Sequence, residues 1–307
     1  LARLGLTPRE TEMLLAAELP IIHAGSGIIH AGAYAELRRV AELLHAPVTT
    51  SWAARGVLPE TSELAIPMPA IKLNHEVRND ADLVLVVGSR LGETDWWGKA
   101  PYWRHPSEQQ MIQVDIDGHI LGGNKPAALT VLADAKLFLA ALAARLEGRT
   151  AGMNLDARRR KVAKYRETLR GERIKLDEKL ADLAVPMNSA HVAHVCQQVF
   201  PEGAVLVADG GNTAVWAMMF HEMRVPNTIL STFKFGMLGA GAAQATGAAV
   251  ARPDVPVCCI IGDGAMGFHP QEVETAVRNG LRVIYLVVCD KQWGMVKMNQ
   301  QFALKPI

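Results

Sequence analysis

Apolar residues along this chain follow two alternating patterns. Short continuous runs, bounded by Gly, Pro or acidic residues, read as strands buried on both faces. Stretches with apolar residues three and four apart read as helices. The first run, Leu19-Pro-Ile-Ile-His-Ala-Gly25, enters a Gly-Ser-Gly turn. Residues 34–44 have helical spacing, residues 47–51 form a second strand candidate, and Leu83-Val-Leu-Val-Val-Gly88 and Met111-Ile-Gln-Val-Asp115 read as further buried strands. Residues 134–146 form an Ala- and Leu-rich helix. From 148 to about 186 the pattern gives way to a stretch dense in Arg, Lys and Glu, which reads as a solvated helical connector. A second alternation begins at Asn188, which with Ser189 is placed to cap a helix through Val199. Residues 204–208, 257–261 and 283–288 then read as strands, with helices at 239–250 and 270–279. The expected class is α/β: two doubly wound parallel-sheet domains, at 1–148 and 187–307, joined by a charged helical linker at 149–186.

Composition narrows the functional classes. A chain of 307 residues, half of them hydrophobic, builds a large core with ease. The formal net charge of +1 gives no basic face for nucleic acid or for a membrane surface. No apolar stretch approaches the roughly 20 residues of a membrane span. Cys196, Cys258, Cys259 and Cys289 form no C-x-x-C pair, so a reduced, cytoplasmic protein is expected.

The candidate chemistry lies in the second half. Ile260-Ile-Gly-Asp-Gly-Ala-Met-Gly267 is an apolar run ending in Gly-Asp-Gly, and Cys289-Asp290-Lys-Gln292-Trp-Gly ends the next run. Strand, turn, helix, strand, turn brings Asp263 and Asp290 to the carboxyl ends of two parallel strands, where open α/β sheets bind ligands. Two carboxylates, nearby carbonyls and a helix start suit a divalent cation holding a diphosphate.

At these residues the sequence resembles the thiamine-diphosphate enzymes, the acetolactate synthase-like branch in particular, whose signature is Gly-Asp-Gly followed at roughly 25 residues by Asn-Asn. The resemblance implies Mg2+ held by Asp263, Asp290 and the carbonyl of Gln292, with Gly262, Gly264, Ala265 and Met266 around the diphosphate. Cys289-Asp290 departs from Asn-Asn; Asp290 keeps an oxygen donor with added charge, and Cys289, a soft ligand, is expected to serve packing. Gly236-Met-Leu238-Gly-Ala-Gly241 resembles the cradle of the aminopyrimidine ring, with Leu238 as the wedge that bends the cofactor and Gly236 as carbonyl acceptor. Asp209-Gly-Gly211-Asn212-Thr213 resembles the second diphosphate turn. Trp293, Gly294 and Met295 are implied to bind the cofactor, and Trp293, Met295 and Met298 correspond to a helix that in relatives borders the substrate pocket. Each position has a plainer alternative: core packing for Leu238, Trp293, Met295 and Met298, and helix capping for Asn212, Thr213 and Asp290.

The resemblance covers nearly the whole chain, residues 20–150 matching the family's middle domain. Some such domains hold FAD or ADP, but Gly25-Ser-Gly27 lacks the full G-x-G-x-x-G pattern and is expected to be an ordinary turn. Relatives carry an N-terminal pyrimidine-binding domain with the glutamate that activates the cofactor. No catalytic residue is therefore assigned here, and the chain is expected to be part of a longer protein. The implied activity is a lyase or carboligase acting on a small-molecule 2-oxo acid, in a homo-oligomer (dimer or tetramer) whose sites form between subunits. Two alternatives stay open: a 2-hydroxyacyl-CoA lyase or oxalyl-CoA decarboxylase-like enzyme, and a catalytically silent binding or assembly fragment.

Overall fold

A computed structural model describes residues 7–181, 183–232 and 235–304. The chain divides into two units, 1–175 with 223–227, and 176–222 with 228–307. In the first, the described strands are β1 (Pro20–Ala24), β2 (Val48–Thr50), β3 (Ala65–Ile66), β4 (Leu83–Val87), β5 (Gln110–Asp115) and β6 (Leu129–Leu132). They form one parallel sheet in the order β3-β2-β1-β4-β5-β6. The reversal of direction between β1 and β4 makes it doubly wound, as expected. Its helices are α1 (Pro8–Ala16), α2 (Gly27–Ala31), α3 (Tyr34–Leu44), α4 (Ile71–Asp80) and α5 (Ala135–Leu146).

The continuous apolar runs have a direct cause. Alternate strand side chains enter different cores: Ile22, Leu83, Leu85 and Val87 join one cluster, and Ile21, Val84, Val86 and Met111 join another. Neither face of these strands meets water, so neither is polar. Helix α3 buries Leu37, Val40, Ala41 and Leu44, the i, i+3, i+4, i+7 stripe of an amphipathic helix.

The charged stretch forms one helix, α6 (Asp156–Leu180). It is less solvated than its composition suggests, because Arg158, Val162 and Tyr165 are buried. The Arg158 guanidinium donates to the carbonyls of Leu44 at 2.7 Å and Ala17 at 2.6 Å, at the ends of α3 and α1. A cation among carbonyls at helix C-termini is favourably placed. Residues 223–227 were not separable by pattern. Met223 N–H donates to Glu60 Oε2 at 2.8 Å, and Glu60 also takes two bonds from buried Arg55, at 2.7 and 2.9 Å.

The second unit contains α7 (Ser189–Val199), β7 (Val205–Ala208), α8 (Gly211–Phe220), β8 (Ile229–Ser231), α9 (Ala240–Ala251), β9 (Val257–Gly262), α10 (Asp263–Met266), α11 (Glu272–Arg278), β10 (Val283–Val288) and α12 (Gly294–Ala303). Its described strands form a parallel sheet in the order β10-β9-β7-β8. Asn188 caps α7, its side chain accepting from Ala190 N–H at 3.0 Å. Among the described residues no helix is long and apolar enough to cross a membrane. The four cysteines are free thiols.

One buried polar cluster in the first unit has a pH consequence. His23, on β1, has Nδ1 at 3.0 Å from Thr49 Oγ1 and Nε2 at 3.5 Å from Asp95 Oδ1. Burial outweighs the pull of Asp95 and holds the imidazole below its usual pKa. His45 and His75 are shifted the same way by burial. The unfolded chain therefore binds more protons than the folded one below the ordinary histidine pKa of about 6.5. Stability present above that pH is lost as the pH falls through it. Urea titrations at pH 7.5 and pH 5.5 are expected to show lower stability at the acidic pH, with a smaller drop in His23→Gln.

Candidate functional site

The site begins with strand register. β9 and β10 pair in parallel from Val257↔Val283 to Gly262↔Val288, so both strands end at one level. Asp263 is the first residue beyond β9, and Asp290 is the second beyond β10. The Asp263 carboxylate joins the two exits: Oδ1 accepts from Gly264 N–H at 2.9 Å and Oδ2 from Lys291 N–H at 3.0 Å. Lys291 sits at φ +58°, a left-handed conformation that this bond helps to hold. Asp290 Oδ1 accepts from Gln292 N–H at 3.1 Å, and Gln292 Oε1 accepts from Lys297 Nζ at 2.9 Å.

These residues border a cleft of about 110 Å³. It gathers Gly211, Asn212 and Thr213 from the start of α8, Leu238, and Gly262, Asp263, Gly264 and Ala265 around α10. Asp290, Gln292, Trp293, Gly294 and Met295 complete the set expected from the sequence. Gly236 and Met266 stand outside the lining. The Gly236 carbonyl faces Gly210, and Met266 packs against the core that contains Val207 and Cys259.

Three glycines permit this convergence. A Cβ on Gly294 would stand 2.9 Å from both Asp290 Oδ2 and Asn212 Nδ2, so the missing side chain lets α8 approach the second acidic turn. A Cβ on Gly264 would stand 2.4 Å from Trp293 Nε1, whose indole lies against that glycine. A Cβ on Gly262 would meet Thr213 Oγ1 at 3.3 Å.

The opposite wall rests on Asp209, which is 1% exposed. Its carboxylate accepts from Gly210 N–H at 2.6 Å, Gly239 N–H at 3.0 Å and Gly241 N–H at 2.6 Å. Burial, with the charge of Asp209 added, pushes the Cys259 thiol up to about 12, so that cysteine is inert. The sequence motif implies no separate role for Asp209, although an acidic residue ending a buried run is a signal for one. Ser189, Gly210, Trp216, Val288 and Val296 also line the cleft without having been singled out. Trp216 lies three residues after Thr213 and four after Asn212, a spacing that puts all three on one helix face.

Cys289 corrects an expectation: it is exposed, not packed, with Sγ 4.0 Å from the Val287 carbonyl. Among the described strands β10 lies at the edge of its sheet, where Ile284 and Val287 are also exposed. Among the described residues no three His, Cys, Asp or Glu side chains converge. A cation at Asp263 and Asp290 would take its remaining ligands from main-chain oxygen, water or a ligand, as hard cations commonly do.

Comparison with known proteins identifies the family. Residues 9–142 fit the family profile described as "Thiamine pyrophosphate enzyme, central domain", and residues 209–305 fit "Thiamine pyrophosphate enzyme, C-terminal TPP binding domain". The chain belongs to the thiamine pyrophosphate enzyme family. Within it, the chain is acetolactate synthase-like. It is 30% identical over 287 residues to a probable acetolactate synthase 2, chloroplastic, of Oryza sativa subsp. japonica, across 91% of this chain and 42% of that protein. It is 29% identical over 296 residues to the acetolactate synthase large subunit of Corynebacterium glutamicum, across 92% and 45%. It is also 29% identical over 315 residues to a sulfoacetaldehyde acetyltransferase of Castellaniella defragrans, across 94% and 51%. The chain thus spans about half the length of the curated relatives it matches. The cleft lies within the residues matched by the cofactor-binding profile, save Ser189.

The contact between Gly264 and Trp293 is open to direct test. A methyl at position 264 cannot coexist with the indole where it lies, and the indole is the part free to move. Gly264→Ala is expected to raise acrylamide quenching of the Trp293 emission, read against a Trp293→Phe reference. The melting temperature is expected to change by no more than about 4 °C, as for a partly exposed substitution.

Proposed function

We propose that this chain supplies the central and cofactor-binding parts of a longer thiamine-diphosphate- and Mg2+-dependent enzyme. The reading is a lyase or carboligase that acts on a 2-oxo acid in the manner of an acetolactate synthase, in a homo-oligomer. The observation that carries it is the pair Asp263 and Asp290, set by one strand register on a cleft with glycine-lined walls.

The residues suit the group. Asp263 and Asp290 offer hard oxygen donors for Mg2+, and the Gln292 main-chain oxygen offers a third. Neither carboxylate is engaged in a described ion pair, and each oxygen that accepts an amide hydrogen keeps a second lone pair. The amides of Ala265 and Met266 belong to the first turn of α10, outside its internal hydrogen bonding, and so are available to anionic oxygen. The cleft of about 110 Å³ is smaller than the roughly 300–1,000 Å³ of a typical small-molecule site, which suits a site that holds part of the cofactor. Leu238 also lines the cleft, which suits a side chain that would bear on the rings of the cofactor. Bound there, thiamine diphosphate supplies a carbon nucleophile for attack on a carbonyl and accepts the charge left when a bond to that carbon breaks.

A second reading is an acyl transferase, favoured by the sulfoacetaldehyde acetyltransferases among the relatives. Product analysis of the full-length protein supplied with a 2-oxo acid separates the two. A carbon–carbon ligated product supports the first, and an acyl group passed to a separate acceptor supports the second. The cofactor claim has its own test by calorimetry in the full-length protein. Asp263→Ala is expected to weaken Mg2+-dependent binding of thiamine diphosphate by at least about a hundredfold. Asp290→Asn, which keeps an oxygen donor, is expected to weaken it by less than about tenfold while reducing affinity for Mg2+ alone. Unchanged binding in Asp263→Ala would remove the metal from this site.

A further inference from the structure

Among the described residues, the buried Asp209 carboxylate is held by backbone amides. Its three bonds come from backbone amides on two separate turns: Gly210, beside the start of α8, and Gly239 with Gly241, at the start of α9. The first turn leads into Asn212 and Thr213, and the second carries Leu238. Gly211, Gly236 and Gly239 all have positive φ, at +74°, +68° and +84°. Gly239, the N-cap of α9, has no side chain with which to cap it. Asp209 provides that cap from across the cleft wall.

The interlock is close on both sides. A Cβ on Gly241 would lie 2.7 Å from Asp209 Oδ2, and one on Gly210 would lie 2.6 Å from the Gly236 carbonyl oxygen. Leu238 Cδ2 comes within 3.5 Å of the point where Gly211 would carry a Cβ.

We propose that Asp209 is a positioning residue that sets the spacing between the Leu238 wedge and the Gly210–Thr213 turn, and so selects a ligand with a ring system attached to its diphosphate over a diphosphate alone. This rests on the reading of the cleft as a thiamine diphosphate site. Two of the three amides held by Asp209 belong to the turn that bears on the rings, and the metal-side residues Asp263 and Asp290 do not contact it. Loosening Asp209 therefore frees the ring wall and leaves the metal wall in place. An asparagine presents one oxygen and turns an N–H₂ donor toward amides that also donate, so it cannot reproduce the clamp.

The test is calorimetric titration of the full-length protein with two probes, thiamine diphosphate plus Mg2+ and inorganic pyrophosphate plus Mg2+. Asp209→Asn is expected to lower affinity for thiamine diphosphate by at least about tenfold and to change that for magnesium pyrophosphate by less than about threefold. Leu238→Ala is expected to show the same selectivity, and the double variant to lose no more than the larger single loss, since both act on one contact. Should Asp209→Asn fail to fold, Gly241→Ala displaces the carboxylate without removing it and is expected to give the same selective loss. Equal loss of both probes, or loss of neither, overturns the proposal. A wild-type protein that binds neither probe overturns the cofactor reading beneath it.

Discussion

The register between β9 and β10 is the constraint on which the site depends. Successive residues in a strand advance by about 3.3 Å, so a slip of one position would move Asp290 that far from Asp263 and turn alternate side chains to the other face. Slippage is opposed by the core: Val257, Cys259 and Ile261 enter one apolar cluster, while Cys258 and Ile260 enter another. β10 contributes less to that resistance, because its position at the sheet edge leaves Ile284 and Val287 exposed. The bond from Lys291 N–H to Asp263 Oδ2 adds a polar tie at the point where hydrophobic packing is thinnest. One carboxylate thus helps to place the other.

The second wall is organised by a different balance. Withdrawing a carboxylate such as Asp209 from water costs several kcal/mol even after relaxation. Hydrogen bonds to a charged group return about 1.5–3 kcal/mol each, and Asp209 receives three, with the N-terminus of α9 adding a favourable dipole. What the carboxylate provides is a unique geometry for two glycine-rich turns that have little of their own. The glycines at 210, 241, 264 and 294 serve the same end: each stands where a Cβ would collide with a functional atom or a neighbouring wall.

These contrasts mark what the sequence could reveal. Strands buried on both faces were legible because continuous apolar runs have few other uses, and β1, β4, β9 and β10 lie within a residue of the positions read from pattern. Strands β3 and β8, two and three residues long, fall below the length at which period two can be counted. The solvated reading of α6 gave way where Arg158 found carbonyls contributed by residues more than a hundred positions away, contacts to which local composition is blind. At the site, spaced motifs supplied the acidic pair and its glycines, whereas the clamp of Asp209 on residues 30 and 32 positions later was invisible to spacing. Trp216 lies within reach of helical periodicity from Asn212, but the residues between form no recognised motif to point to it.

The departure at Asp290 bears on how charge is shared across the cleft. Two carboxylates neutralise a divalent cation in full, whereas one carboxylate and one amide would leave it a net positive charge to offer a diphosphate. The attraction for an anionic tail must then come from elsewhere. The supply is visible in the fold: α8 and α10 both begin at the cleft, with amide hydrogens directed outward from their first turns and the positive ends of their backbone dipoles beside it. Lys297, which reaches Gln292 Oε1, adds a cation near the Asp290 turn. Partial charges of this kind act only at close range, which is why the absence of side chains at Gly262 and Gly264 matters. On the proposed reading, the acidic pair would fix the ion, the helix starts would receive the tail, and the glycines would bring the two within reach of one ligand.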